Sequence, residues 1–277
     1  MVSPYLIFLT VFVLFPVFFC FYLTFQKWNI IAPMKFIGTD NYTRLFHDRL
    51  FWKAIGNTLK FLLLHIPLQL AVSLLLAYLL NQQIRAKSFF RASFFLPVIV
   101  SGVVVTILWQ QLLGYDTGLI NRFITALGFA KVGWLVNPDI AIYSIALMAT
   151  WKNLGLYVIL FLVGLQTVPP QYYEAAKLEG ATKWQQFYYI TLPMINPTIF
   201  MVVILSTIGG FSLFIEPYIM TGGGPLNQTL SAVLYIYKQA FQYYNMGYSA
   251  TLGFFYALLI MTVVVIQKKV IEKESHA

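Results

Sequence analysis

The sequence predicts an all-α, polytopic membrane protein with six transmembrane helices. Three observations predict it. The chain has 277 residues and is 60% hydrophobic but only 10% charged, above the roughly 45–50% apolar content of soluble domains. Its mean hydropathy is +0.75. Its apolar runs reach the ~20 residues that cross a bilayer as helix and far exceed a barrel strand, while open strands would leave backbone groups unpaired in lipid. All of it reads as one transmembrane domain, residues 1–277.

The first span is expected over 3–25. No basic residue precedes it and no small-residue cleavage site follows, so it reads as a retained helix rather than a signal peptide. The opening MVSPYL lacks the basic leader expected on a cytoplasmic end, so a few residues are expected upstream. The second span is expected over 58–80 with Pro67 inside, and the third over 91–113 with Pro97 near its start. Both prolines are expected to kink their helices, which neighbouring helices tolerate in a membrane. The remaining spans are expected over 139–166, 195–219 and 247–267.

Basic residues set the orientation. Arg85, Lys87 and Arg91 crowd the short loop 81–92, and Lys268-Lys269 abut the end of the sixth span. Their density favours a cytoplasmic N-terminus and C-terminus, although the total count on the two sides is equal. The net charge of +9 sits in such loops, where it faces anionic membrane lipid; it does not point to nucleic acid. Between the first two spans, NYTRLFHDRLFWKAI reads as one short interfacial helix with Phe51 and Trp52 at headgroup level. GLINRFITALG in 114–138 reads as another, and 221–246 opens on a flexible TGGGPLNQ turn. Each loop could shape an external mouth or simply pad the interface.

Catalytic chemistry finds no support. One cysteine, Cys20, permits no intrachain disulfide. The histidines stand apart at 47, 65 and 276, with no metal-ligand cluster. No G-x-x-x-x-G-K-[ST] run offers a phosphate cradle, so the chain carries no ATPase site of its own.

Residues 167–194, between the fourth and fifth spans, stand out. They pack Glu174, Ala175, Ala176, Lys177, Glu179 and Lys183 into ten residues. Val168-Pro169-Pro170 ends the fourth span, and proline is allowed at the start of the helix that follows. Ala175 and Ala176 form helix without bulk, so another surface can approach closely. Gly180 is the natural place for a positive φ, Thr182 can cap a second helix, and Pro193 starts the turn into the fifth span. Helix, glycine break, helix on a water-facing side makes a knob that could enter a groove on a partner. A bare E-A-A triplet would be an incidental surface loop; the register with Gly180, Ile190, Leu192 and Pro193 is more than that.

That register resembles the coupling loop of permease subunits of binding-protein-dependent ATP-binding-cassette importers, the branch that includes the maltose and glycerol-3-phosphate permeases. Other motifs agree. Phe36-Ile37-Gly38 with Asp40-Asn41-Tyr42, Asn57-Thr58, Trp151 with Gly155, Gly164-Leu165-Gln166, and Thr221-Gly222-Gly223-Gly224-Pro225 resemble that branch, as do Tyr235-Ile236-Tyr237, Ala240-Phe241 and Gly247-Tyr248. The likeness covers about residues 4–268; Glu179 stands where the family usually has Asp. The resemblance implies a type I importer permease fold. It also implies a second permease subunit, usually non-identical, two cytoplasmic ATPase subunits that use ATP and Mg, and an extracytoplasmic solute-binding protein. It implies a bacterial inner-membrane location, with Glu174, Ala175, Ala176, Glu179, Gly180 and Pro193 in ATPase coupling. No cofactor is expected on this chain.

Polar residues inside spans mark candidate solute contacts. Lys152 and Asn153 lie about halfway along the fourth span, and Gly209-Gly210-Phe211-Ser212 halfway along the fifth, near the bilayer midplane where transporter sites form. Trp151, Tyr157, Phe211 and Phe214 offer flat faces for sugar rings; Asn153, Ser212 and Lys152 offer hydrogen bonds. Relatives of the maltose permease line their substrate site with these two spans. Against this, the aromatics could be packing, Gly209-Gly210 could serve close helix contact, and Lys152 could be a structural ion partner. Glu216, beside Pro217, lies nearer the outer end. One deep cation favours an uncharged sugar (oligosaccharide, glycoside or polyol) over glycerol-3-phosphate or another small polar solute. A stand-alone secondary transporter would need coupling acids or inverted repeats in the spans, and neither is evident.

Overall fold

The computed structural model describes residues 2–82 and 86–274, with side chains through residue 269. Arg85 and His276 lie outside the described residues. The fold is helical throughout, apart from a two-residue antiparallel ladder pairing Gln26 with Phe36 and Lys27 with Lys35.

Among the described residues, five helices are long and apolar enough to cross a membrane: Ser3–Leu23, Arg49–Asn81, Ala141–Gln166, Asn196–Met220 and Met246–Lys269. The sixth crossing is a bent pair, Lys87–Ile99 and Gly102–Leu112, meeting at 98°. That differs from the single third span expected over 91–113. The bend falls not at Pro97 but at Val100 and Ser101, whose ψ values of 142° and 128° are extended. Pro97 lies within the preceding helix, whose chain still closes onto Val100 through a bond to the Leu96 carbonyl.

The second span also begins earlier than expected. The single interfacial helix read over 41–55 is split at Asp48 into Asp40–His47 and the start of Arg49–Asn81. Asp48 causes the split: its Oδ1 accepts from the N–H groups of Leu50 and Phe51 and caps the new helix. Its Oδ2 accepts from the hydroxyls of Tyr235 and Tyr248, at 2.7 and 2.6 Å. Burial alone would raise this carboxyl. The bonds from Tyr248, Tyr235, Phe51 and Leu50 outweigh burial and hold it below its ordinary value. One carboxylate thus ties together the start of the second span, the loop after the fifth span and the sixth span.

Asn57 and Thr58, read as opening the second span, lie well inside it. Asn57 reaches the carbonyls of Asn227 and Leu230, and Thr58 accepts from the Ala232 N–H. These bonds fix the loop after the fifth span. The loop 114–138 holds the expected short helix, Leu119–Ala126, and its organiser is Asn121. That side chain is buried; it donates to the Tyr115 and Val132 carbonyls and accepts from Val132 N–H and Trp134 Nε1.

The fourth span is the most enclosed, with 61% of its apolar window buried, whereas the first span has 6%. Glycine explains the tightest contact. A Cβ on Gly155 would overlap the Phe94 carbonyl oxygen and lie 2.7 Å from Phe95 Cα. The fourth span therefore touches the backbone of Lys87–Ile99 directly. Its other side packs Val158, Phe161 and Leu165 with Ala77, Leu80 and Val202 of the second and fifth spans.

Candidate functional site: a midspan cavity and a cytoplasmic-type knob

A cavity of about 480 Å³ opens between the second, fourth and fifth spans. A break in the fifth span opens it. That span stops at Phe211 and resumes at Ile215, leaving residues 212–214 outside regular helix. The bend of the third span is close by, with Gly102 against the lining residue Lys152. Irregular backbone at membrane depth persists only where protein buries it or where it lines a cavity.

Five residues expected to contact solute line this cavity: Lys152, Asn153, Tyr157, Gly210 and Ser212. Asn153 donates to the Ala149 carbonyl at 2.9 Å, leaving its Oδ1 for other use. Ser212 Oγ donates back to the Ile208 carbonyl at 3.1 Å, inside the frayed end of its helix. The other three expected contacts are elsewhere. Trp151 packs on Trp109 with centroids 5.6 Å apart. Phe211 is buried edge-on against Tyr256. Phe214 stacks on Tyr218 and packs on Tyr237, in an aromatic cluster after the break.

Two lining residues were not recognised as such in the sequence. Glu216 turns inward and meets Lys152, Oε1 to Nζ at 3.2 Å, with the two side chains 11% and 17% exposed. Gly102 allows the pairing, since a Cβ there would stand 2.7 Å from Lys152 Nζ. His65 is buried, holds Thr150 Oγ1 at 2.9 Å through Nδ1, and stacks on Phe61. An ionisable residue inside an apolar run is itself a functional signal, and that was available for His65. Among the described residues no group of His, Cys, Asp and Glu could hold a metal ion.

The segment between the fourth and fifth spans folds as helix, turn, helix. Pro170 begins the first helix, Pro170–Leu178, and Glu179 follows at its end. Gly180 has φ +82°. The Ala181 N–H bonds the Ala176 carbonyl and the Gly180 N–H the Lys177 carbonyl, the pair of bonds that closes a helix on a left-handed residue. Thr182 then opens the second helix with reciprocal bonds to Gln185. Helical structure, including a wide turn at Phe187–Thr191, carries the chain to Met194, so Pro193 lies in the last helical turn before the fifth span. Tyr173 and Thr191 hydroxyls, 2.9 Å apart, staple the two helices. Glu174, Ala175, Glu179 and Gly180 are exposed and Ala176 is half-buried. Leu178 is 91% exposed and Trp184 76%. Among the described residues neither Glu174 nor Glu179 has an ion-pair partner.

The fourth span joins the two features. Thirteen residues separate Asn153 from Gln166 at its end, ~20 Å of helix.

Comparison with known proteins agrees with this architecture. Residues 2–274 match the family described as binding-protein-dependent transport system inner membrane component. A probable ABC transporter permease protein, YurN of Bacillus subtilis, is 35% identical over 271 residues, covering 96% of this chain and 92% of the relative. The arabinooligosaccharides transport system permease protein AraP of the same organism is 34% identical, covering 96% and 86%. A chain in the crystal structure of a bacterial alginate ABC transporter, in complex with an alginate pentasaccharide-bound periplasmic protein, superposes with a TM-score of 0.87. It is 25% identical and covers 99% of this chain and 93% of that one. The chain belongs to the family of inner membrane components of binding-protein-dependent transport systems: it is a multi-pass transport subunit of the ABC permease type.

Proposed function

We propose that this chain is the transmembrane permease subunit of an ATP-driven importer that takes up a sugar handed over by an extracytoplasmic solute-binding protein. Oligosaccharides, glycosides and polyols are the solute class. The relatives' names support it, among them an arabinooligosaccharide permease and the lactose permease LacF of Rhizobium radiobacter. The path is completed by a second permease subunit, usually non-identical. Two cytoplasmic ATPase subunits supply the work, using ATP and Mg; this chain binds no cofactor. Its place is the bacterial plasma membrane with both termini in the cytoplasm, the orientation that puts the knob beside the ATPases.

One observation carries this reading: a polar cavity and an exposed, rigidly capped helix pair occupy opposite ends of one stiff segment of the fourth span. Glu174 would pair with a basic residue of an ATPase subunit, and Ala175 and Ala176 would let that subunit approach. Gly180 and Glu179 set the turn, and Pro193 passes its motion to the fifth span. Asn153, Ser212 and Tyr157 would bond sugar hydroxyls.

The test uses the assembled transporter. Replacing Glu174 with Ala should lower uptake and reduce ATPase co-purification, whereas Asn153→Ala or Ser212→Ala should lower uptake with assembly intact. Normal uptake with full ATPase retention in the first variant would remove the docking role. Unchanged uptake in the others would clear those residues of solute contact.

A further inference from the structure

We propose that Glu216 is a specificity-determining residue: by neutralising Lys152 it sets the charge of the midspan cavity to zero and excludes anionic sugars. This rests on reading the cavity as the solute path.

The argument starts from the lining. Among the residues around the cavity, Lys152 and Glu216 carry the only full charges, and they face each other at 3.2 Å. The rest of its polar surface is neutral: Asn153, Tyr157, Ser206, Ser212 and the imidazole of His65. Such a surface can bond hydroxyls from both sides without offering net charge to a ligand.

The pair is built rather than incidental. Its members come from different elements, the middle of the fourth span and the short helix after the break in the fifth. Both side chains are largely enclosed. Gly102, at the bend of the third span, leaves room for the ammonium; a Cβ there would stand 2.7 Å from Lys152 Nζ, so the lysine would have to shift. Three elements thus cooperate to place a single carboxylate on a single lysine.

A solute that carries a carboxylate or phosphate would need Lys152 for itself. Reaching it means displacing Glu216 and leaving that acid unpaired in an enclosed site, which is strongly unfavourable. A neutral sugar leaves the pair intact. The crystal structure of the alginate transporter concerns an acidic polysaccharide, so a related fold handles the opposite charge class. Charge selection therefore belongs to particular cavity residues and not to the fold.

If Glu216 only held the helices together, its replacement would weaken assembly and create no new preference. If it sets the cavity charge, replacement creates a predictable one. Glu216→Gln leaves Lys152 uncompensated and should favour anions. Lys152→Met leaves Glu216 uncompensated and should favour cations. The double variant restores neutrality and should return to the original preference. At the effective dielectric of a protein site, one uncompensated charge near a charged ligand is worth on the order of tenfold or more in affinity.

The experiment uses the complete transporter in lipid nanodiscs with the binding protein left out, so that delivery does not filter the probes. Equilibrium binding is measured for labelled maltose, digalacturonate and the glucosamine disaccharide. The expected result is at least about a tenfold gain for digalacturonate in Glu216→Gln, and a matching gain for the glucosamine disaccharide in Lys152→Met. Neither gain should appear in the double variant. Should Glu216→Gln fail to assemble, the Lys152→Met and double-variant arms decide alone. An assembled single variant with no gain for its matching probe overturns the role of Glu216 while leaving the cavity as a solute path. Absence of binding by every probe in every form overturns the solute reading, and this proposal with it.

Discussion

Replacing Gly155 with Ala tests the backbone contact between the fourth span and the bent third span. The new Cβ would overlap the Phe94 carbonyl oxygen and stand 2.7 Å from both Phe94 C and Phe95 Cα, where ordinary contact begins at 3.4 Å. The neighbours are backbone, so no side chain can swing aside; Lys87–Ile99 must move off the fourth span by at least the 0.7 Å difference between 3.4 and 2.7 Å. Overpacking of this kind costs about 1–3 kcal/mol. Alanine returns about 0.5–1 kcal/mol of helix preference over glycine. With a backbone oxygen as the obstacle the cost belongs at the upper end of that range, and the net expectation is destabilisation of about 2–2.5 kcal/mol. Gly253→Ala is the control, because nothing lies within 4 Å of a Cβ there and only the ~0.5–1 kcal/mol gain applies. Thermal unfolding of the purified subunit in detergent, followed by tryptophan fluorescence, measures both. At about 2–4 °C per kcal/mol, Gly155→Ala should melt several degrees below the parent and Gly253→Ala at or slightly above it. Equal or raised melting of Gly155→Ala would refute the claim that backbone contact holds the bent third span in place.

Three further outcomes are expected. Asp48→Asn keeps a helix cap but weakens two tyrosine bonds to a charged acceptor, and should cost about 1.5–3 kcal/mol in unfolding. Because the folded carboxyl is held below its ordinary value, its contribution is full above the unfolded value of about 3.9 and is lost as pH falls through the folded one. Acid unfolding below about pH 4 should therefore be less steep in Asp48→Asn than in the parent, and identical slopes would rule this out. Asn121→Ala deprives two N–H donors and two carbonyls of their partner in a buried site. At about 1–3 kcal/mol for an orphaned buried group, limited proteolysis should cut within 114–138 at least tenfold faster, and an unchanged rate would count against it. Hydrogen exchange in nanodiscs should protect the amides of 176–187 more strongly than those of 100–101 and 212–214; the reverse order would show the knob to be the softer part.

Much of this was legible in the sequence because membrane helices announce themselves by length and apolarity. The Gly180 turn, the Thr182 cap and the proline start at 170 were also legible, since each follows from local chemistry. What escaped depended on distant neighbours. The third span reads as one helix with a proline inside, yet it breaks after Pro97, where Gly102 must admit Lys152 and Gly155 must admit Phe94. Asp48 lies in a run that reads as continuous helix; only Tyr235 and Tyr248, nearly two hundred residues away, reveal it as a boundary. Glu216 reads as lying nearer the outer end; its pairing with Lys152, 64 residues away, is not written in the neighbourhood of either residue. Trp151, Phe211 and Phe214 share the depth but not the cavity lining: Trp151 packs on Trp109, Phe211 on Tyr256, and Phe214 on Tyr218 and Tyr237, partners that composition does not name.

Stiffness and compliance are distributed unevenly along the chain, and that distribution suits a lever. The knob at 170–194 is closed by two capping motifs and a hydroxyl staple, so a force on Glu174 or Gly180 deforms it little. The fourth span continues from it, enclosed for most of its length and wedged against backbone at Gly155. It too absorbs little. Regular helix lapses at residues 100–101 and 212–214; Ser212 and Leu213 line the cavity, and Gly102, next to the first lapse, lies against its Lys152. On the proposed coupling role, a displacement applied at the knob reaches the cavity where Lys152 of the fourth span faces Gly102 and Glu216. The cavity has to sit at breaks because only broken helices can change its shape without unpairing backbone groups in lipid. The break in the fifth span also places Ser212 and Glu216 on the cavity wall.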